Sequence, residues 1–199
     1  MLFRVSVALL CCLSTAAWAA PPLGASLGTD LDGHTVDRLA PPGARAVVLF
    51  FAASDCPISN RYIPEIERLD REFSSDGVYF WWVYPNPGDT ADVVRRHQEQ
   101  FHIHPAAVLD TDQRLTAIAH ATITPEVAVL LRDGSNWREV YRGRIDNRYL
   151  SLGQERPAAT RHDLEEALRA VIAGRPVPPP EGPPVGCSIV PRDIARNNP

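Results

Sequence analysis

Eight consecutive apolar residues, Ala46-Val47-Val48-Leu49-Phe50-Phe51-Ala52-Ala53, constrain this chain more than any other segment. A run of this length suits a central parallel strand covered on both faces. Ser54-Asp55-Cys56-Pro57 follows, and then a helix-patterned stretch to Phe73. Its apolar positions Ile58, Tyr62, Ile63, Ile66, Leu69 and Phe73 have the three-and-four spacing of one helical face. Pro57 fits the first helical position, where its missing N–H costs nothing, and Pro64 inside the helix predicts a kink. Cys56 therefore lies between a buried strand and a helix start, at the positive end of the helix dipole, which favours thiolate over thiol. With an unperturbed pKa of about 8.5 only a few per cent of a cysteine is thiolate at pH 7, and a drop of about two units makes thiolate the majority form. Cys56 reads as a nucleophile. The alternative is a structural cysteine, but buried cysteines sit inside strands and helices, whereas this one follows Ser54-Asp55 and precedes a proline.

The same patterns organise the rest of the chain. His34 and Val36, around Leu31-Asp32-Gly33, predict a short strand pair ahead of the main sheet. Val78 to Tyr84 is a second buried strand whose Trp81 and Trp82 read as core rather than as a binding platform. Asp89-Thr90 caps a helix running to Phe101, 106–109 is a third strand and 112–121 a helix. A strand at 127–131 turns through Arg132-Asp133-Gly134-Ser135 into 137–144, and Thr160 caps a last helix over 161–173 that Gly174 stops. Strands alternating with helices predict an α/β fold, with the site at the carboxyl end of a central strand.

The first 19 residues read as a signal peptide. Arg4 is its basic region, Val5 to Leu13 its apolar region, and Ala17-Trp18-Ala19 the small-x-small pattern for cleavage before Ala20. The apolar run falls short of the roughly 20 residues a membrane helix needs. The expected location is thus exported, periplasmic or extracellular, with no stable membrane insertion after cleavage. Loss of Arg4 takes the net charge from −4 to −5, too mild to indicate nucleic acid or a membrane surface as partner. All 20 basic residues are arginine, which excludes lysine nucleophiles and Schiff bases. Met1 is the only methionine, so the mature chain has no thioether ligand for copper or haem; no Cys-x-x-Cys-His occurs, which excludes covalent c-type haem, and no cofactor is called for. Cys11 and Cys12 leave with the peptide, so Cys56 and Cys187 remain as a staple or a redox couple in an oxidising compartment. Cys187 lies in the tail, residues 175–199, where eight of 25 residues are proline, and this segment reads as semi-rigid and extended. The organisation is a signal peptide (1–19), one domain (20–174) and the tail.

The order strand, Cys-x-x-Ser, helix with Pro64, strands, Thr124-Pro125, hairpin and terminal helix resembles the thioredoxin superfamily over about residues 23–173. More narrowly it resembles the redoxin branch, with the alkyl hydroperoxide reductase and thiol-specific antioxidant proteins. Asp55 to Tyr62, Tyr141 to Tyr149 and the Gly186-Cys187 near the end look like segments of bacterial redoxin-domain proteins. The resemblance implies a thioredoxin-like fold: a central mixed β-sheet, helices on both faces and a short N-terminal β extension. It places Cys56 as the attacking cysteine, Thr124-Pro125 as the cis-proline loop, and Ser59 where thioredoxins carry the second, resolving cysteine. Ser59 then offers a hydrogen bond to the thiolate rather than a thiol. Leu49 and Ala53 stand where the peroxiredoxin pattern has a proline and a threonine. His102 and His104 form a His-x-His, but copper-delivering relatives pair a distant histidine with two close cysteines, so both read as solvated loop residues. Arg144 and Arg148 read as salt-bridged surface residues, with a place in the active site as the alternative.

The expected function is thiol-disulfide exchange through Cys56, with a thiol or disulfide protein as partner and an external thiol reductant. The alternatives are reduction of hydroperoxides and a non-catalytic module that holds a partner or a metal. Cys187 is the candidate resolving thiol, with a permanent staple to Cys56 and a free thiol awaiting another protein as the alternatives. The 12 residue steps from Arg175 span up to about 37 Å in polyproline geometry, against a radius of gyration near 15 Å for about 150 residues.

Overall fold

The computed structural model describes residues 26–192, so the expected signal peptide and the last seven tail residues lie outside the described residues. A seven-stranded mixed sheet is the frame, in the order β2-β1-β5-β4-β3-β7-β8. Its strands are β1 (Gly28–Thr29), β2 (Thr35–Val36), β3 (Ala46–Phe51), β4 (Val78–Tyr84), β5 (Ala106–Leu109), β7 (Glu126–Asp133) and β8 (Asn136–Gly143). The helices are α1 (Pro57–Phe73), α2 (Ala91–Phe101), α3 (Arg114–Ile118) and α4 (Asp163–Ile172). Two small ladders stand apart from the sheet. One pairs β9 (Tyr149–Ser151) with β10 (Gln154–Glu155), the other β6 (Ile123–Thr124) with β11 (Cys187–Ser188).

All six residues of β3 are fully buried, as a strand covered on both faces requires. Side-chain alternation then divides the core in two. Ala46, Val48 and Phe50 pack with Phe80 and Trp82 of β4 beneath α1, α2 and α4. Val47, Leu49 and Phe51 face α3, the N-terminal segment and, from the tail, Ile189. Trp82 is wholly buried, edge-on to Phe50 at 4.7 Å. Trp81 is half-buried and donates its indole N–H to Leu39 O at 2.6 Å, so both tryptophans belong to the packing.

Register positions the site. β3 runs parallel to β4 and antiparallel to β7, with Phe51 opposite Glu126. The start of β7 therefore lies beside the end of β3, and Thr124-Pro125 must face the loop that carries Cys56. The Thr124–Pro125 bond is cis.

Several boundaries differ from the sequence reading. The helix expected over 112–121 spans only Arg114–Ile118, because the buried Asp110 carboxylate accepts the N–H groups of Arg114, Leu115 and Thr116 and starts the turn there. Thr160 does not cap α4; its hydroxyl accepts from Asn147 Nδ2, and His162 is the residue before the first turn. Gly174, at φ +63, ends that helix as expected: its N–H reaches Val171 O, and Arg175 N–H reaches Ala170 O. The helix α1 continues through Pro64 without interruption. The tail returns to the domain and contributes the short strand β11, an element that the sequence reading did not include. No described helix is long and apolar enough to cross a membrane.

Candidate active site

Cys56 is the residue before the first turn of α1, with Pro57 at the first helical position. Pro57 has no N–H, so the first free donors of the helix are those of Ile58 and Ser59. Cys56 is 1% exposed. The neutral thiol makes no capping bond to the helix and instead points its S–H at Thr124 O, 3.4 Å away. The anion is favoured differently. Burial pushes the Cys56 pKa up, but the Ser59 N–H, the Cys187 thiol, the Ser59 hydroxyl and the Ile58 N–H all stabilise the thiolate and hold it below the ordinary 9.0.

Cys187 is the second thiol. Its Sγ lies 3.1 Å from that of Cys56, across 131 residues of chain, and the two are not bonded. A disulfide bond is about 2.05 Å long, so the sulfurs need to close by about 1 Å to join. Cys187 is exposed, and its hydrogen bond to Cys56, some burial and the charges of Cys56 and Asp55 push its pKa up to about 11. The pair is polarised, with Cys56 the group that ionises first.

Ser59, buried at 1% exposure, accepts the Ala53 N–H at 3.4 Å with the hydroxyl that also serves the thiolate. Thr124 is fully buried; its carbonyl meets Cys56, and its hydroxyl donates to Cys187 O at 3.4 Å. Cys56, Ser59, Thr124, Pro125 and Cys187 therefore lie together.

The structure adds residues that sequence reasoning missed. Asp89 accepts both the N–H and the hydroxyl of Ser54, at 3.0 and 2.5 Å, and so pins the loop entering Cys56. Asn60 donates to Ser54 O, so its Oδ1 is left to accept His97 Nε2–H at 2.8 Å, and His97 Nδ1 accepts from the Tyr84 hydroxyl at 3.1 Å. Burial lowers the His97 pKa and keeps this ring neutral, as that tautomer requires. Gly186, visible in the sequence only as the neighbour of Cys187, has a steric role that the structure adds. A Cβ there would lie 2.1 Å from Thr124 O, so only glycine lets the tail backbone approach the Thr124-Pro125 loop this closely. Nothing in the local sequence marks Asp89 or His97 as partners of the Cys56 loop, whereas Asn60 lies within the Asp55 to Tyr62 segment and Gly186 beside Cys187.

Arg144 makes the ion pair expected of it, a two-pronged one with the buried Asp163 at 2.9 and 3.1 Å, but half-buried rather than at the surface. A cavity of about 10 Å³, room for one water, lies between Tyr62, Pro125, Arg144, Tyr149 and the tail residues Pro183 and Val185. His102 closes α2 in the left-handed conformation, and exposed His104 binds the Glu67 carboxylate through its N–H and ring. Among the described residues, two groups have the spacing of metal ligands: Asp30, Asp32 and His34; and Glu65, His162 and Glu165. Neither includes a residue of the thiol site, and Arg68 already pairs with Glu65 and Glu165.

No protein-family model and no curated protein matches the chain. Solved structures do. A hypothetical protein from Sinorhizobium meliloti 1021 is 20% identical with a TM-score of 0.67, the match covering 86% of this chain and 95% of that one. An uncharacterized conserved protein from Geobacillus kaustophilus is 26% identical at a TM-score of 0.62, over 84% and 91% of the two chains. A secreted Mycobacterium tuberculosis disulfide oxidoreductase homologous to E. coli DsbE is 17% identical at 0.50, over 76% and 96%. With the sheet order above, these likenesses establish a thioredoxin-like fold.

Proposed function

We propose that this is an exported thiol-disulfide oxidoreductase in which Cys56 is the nucleophile and Cys187 resolves it. The observation that carries the reading is the 3.1 Å approach of two unbonded thiols with opposite pKa shifts. The Cys56 thiolate attacks a substrate disulfide; one S–S bond breaks, a mixed disulfide forms, and the substrate's other sulfur leaves as thiolate. Once Cys56 is in a disulfide, its negative charge is gone. The contacts that raise the Cys187 pKa then weaken, and Cys187 loses its proton more easily when it is needed as attacker. Its sulfur attacks Cys56 Sγ, the substrate departs as a second thiol, and a Cys56–Cys187 disulfide remains for an external dithiol to reduce. Ser59 supports the thiolate but has no thiol with which to resolve, so the tail supplies what the Cys-x-x-Ser site lacks. The expected N-terminal leader, the polarised pair and the secreted oxidoreductase among the similar structures support an oxidising compartment as the place of work.

Peroxide reduction is the second reading. The 1% exposure of Cys56 under the docked tail admits a small oxidant more readily than a protein. The two separate in a paired assay on full-length protein. Disulfide exchange predicts turnover of a protein disulfide with a dithiol reductant, loss of that turnover in Cys56→Ser, and an accumulated mixed disulfide in Cys187→Ser. Stoichiometric thiol loss with hydrogen peroxide and no disulfide turnover reverses the order, and inertness in both assays rejects both.

A further inference from the structure

The tail meets the site as a paired strand rather than as a loose linker. Cys187 stands opposite Thr124 and Ser188 opposite Ile123 in antiparallel register, and the Ile189 N–H donates to Thr122 O at 3.0 Å. Farther on, Val190 N–H donates to Asn86 Oδ1 at 3.0 Å, Gln113 Nε2 donates to Val190 O at 2.6 Å, and Gln113 Oε1 accepts Arg192 N–H at 3.1 Å. Ile189 is 7% exposed and joins the core around Leu115. The nucleophile beneath this strand is almost inaccessible, while Cys187 in the strand is exposed. Among the described residues β11 is the strand that pairs with β6, so it occupies the backbone edge beside Cys56 on which an extended peptide would pair.

We propose that β11 is a latch on the site. Docked, it presents Cys187 and excludes other strands; peeled back from Gly186 onward, it uncovers Cys56 and frees the Ile123–Thr124 edge for an extended, disulfide-bearing peptide. This deepens the thiol-exchange reading and rests on it. With the latch open, the Cys56 thiolate displaces one sulfur of the substrate disulfide and forms a mixed disulfide. As the strand returns, it competes the substrate backbone off β6 while the Cys187 thiolate displaces the substrate's remaining sulfur from Cys56. The substrate disulfide gains two electrons and two protons, and the Cys56–Cys187 pair loses them. The oxidised latch is closed by its own covalent bond until an external dithiol reduces it.

Gly186 and Gln113 are the places to open the latch without touching either thiol. Any side chain at 186 collides with Thr124 O, and Gln113→Ala removes two hydrogen bonds to the tail's far end. The probe is a fluorescent peptide copying residues 183–190 with Cys187→Ser, whose binding is non-covalent and independent of thiolate chemistry. Reduced full-length Gly186→Val should bind it at least tenfold more tightly than the parent, with Gln113→Ala between the two and cooperative unfolding kept in all three. In parallel, modification of Cys56 by a bulky maleimide should rise at least tenfold in both variants, while modification by iodoacetamide changes far less. Equal peptide affinity in all three proteins, or equal access of the bulky reagent to Cys56, overturns the latch. A Cys56 that resists iodoacetamide in the opened variants instead overturns the thiol-exchange reading, and peptide binding still judges the latch.

Discussion

At the scale of single residues, the fold holds two neighbouring thiols in unlike states. The division is electrostatic and local: helix N–H groups act on Cys56, and Cys56 acts on Cys187. Thiolate absorbance, taken as the difference between the parent and each cysteine variant so that the shared tyrosinate signal cancels, reads both ionisations without depending on access to the buried sulfur. Reduced protein should show a first step below pH 9.0, absent in Cys56→Ser, and a second at about pH 11, absent in Cys187→Ala. The sign of the coupling is fixed. Cys187 donates to the thiolate and lowers the Cys56 pKa, so Cys187→Ala must move the first step upward; a downward move or none contradicts the assignment. Ser59→Ala should also raise it, by less than loss of every Ser59 contact would, because the backbone N–H remains and is the larger of the two contributions.

At the scale of elements, long buried strands were legible and short paired ones were not. β3 and β4 could be read because burial on both faces imposes continuous apolar runs, and α1 because its buried residues keep helical spacing. The two-residue β11 carries no such pattern. It is specified by what lies across from it: the clearance at Gly186, the pairing with Thr124 and the seat of Ile189. The β9–β10 hairpin is largely exposed and shows no alternation to read. Helix α3 was read too long because a side chain sets its start. Asp110, wholly buried, holds three backbone N–H groups and the Thr116 hydroxyl. Asp110→Ala leaves the Leu115 and Thr116 N–H groups and the Thr116 hydroxyl buried without an acceptor, and urea unfolding should register a loss of about 3 kcal/mol. A loss below about 0.5 kcal/mol would mean that the turn finds other partners. Since Gln113 sits on this turn and holds Val190, the same substitution should loosen the tail.

For the whole molecule, the antiparallel register of β3 and β7 and the return of the tail put three distant segments, around residues 56, 124 and 187, at one point. The sequence resemblance pointed to the first two. It also touched the third through the Gly186-Cys187 pair, and the tail's reach allowed the approach; the pairing of β11 with β6 and the buried seat of Ile189 were not legible. Joining Cys56 to Cys187 closes a loop of 131 residues, worth up to about 5 kcal/mol in the chain-entropy model. Oxidised protein should accordingly unfold at higher urea than reduced protein, and equal midpoints would show that the bond is strained or absent. The most direct test of the account is a redox titration of full-length protein with mass mapping of its peptides. A reversible Cys56–Cys187 link with a potential between about −270 and −120 mV is the predicted result. A link titrating below about −300 mV would make the pair a permanent staple, and no link at all would contradict the central claim.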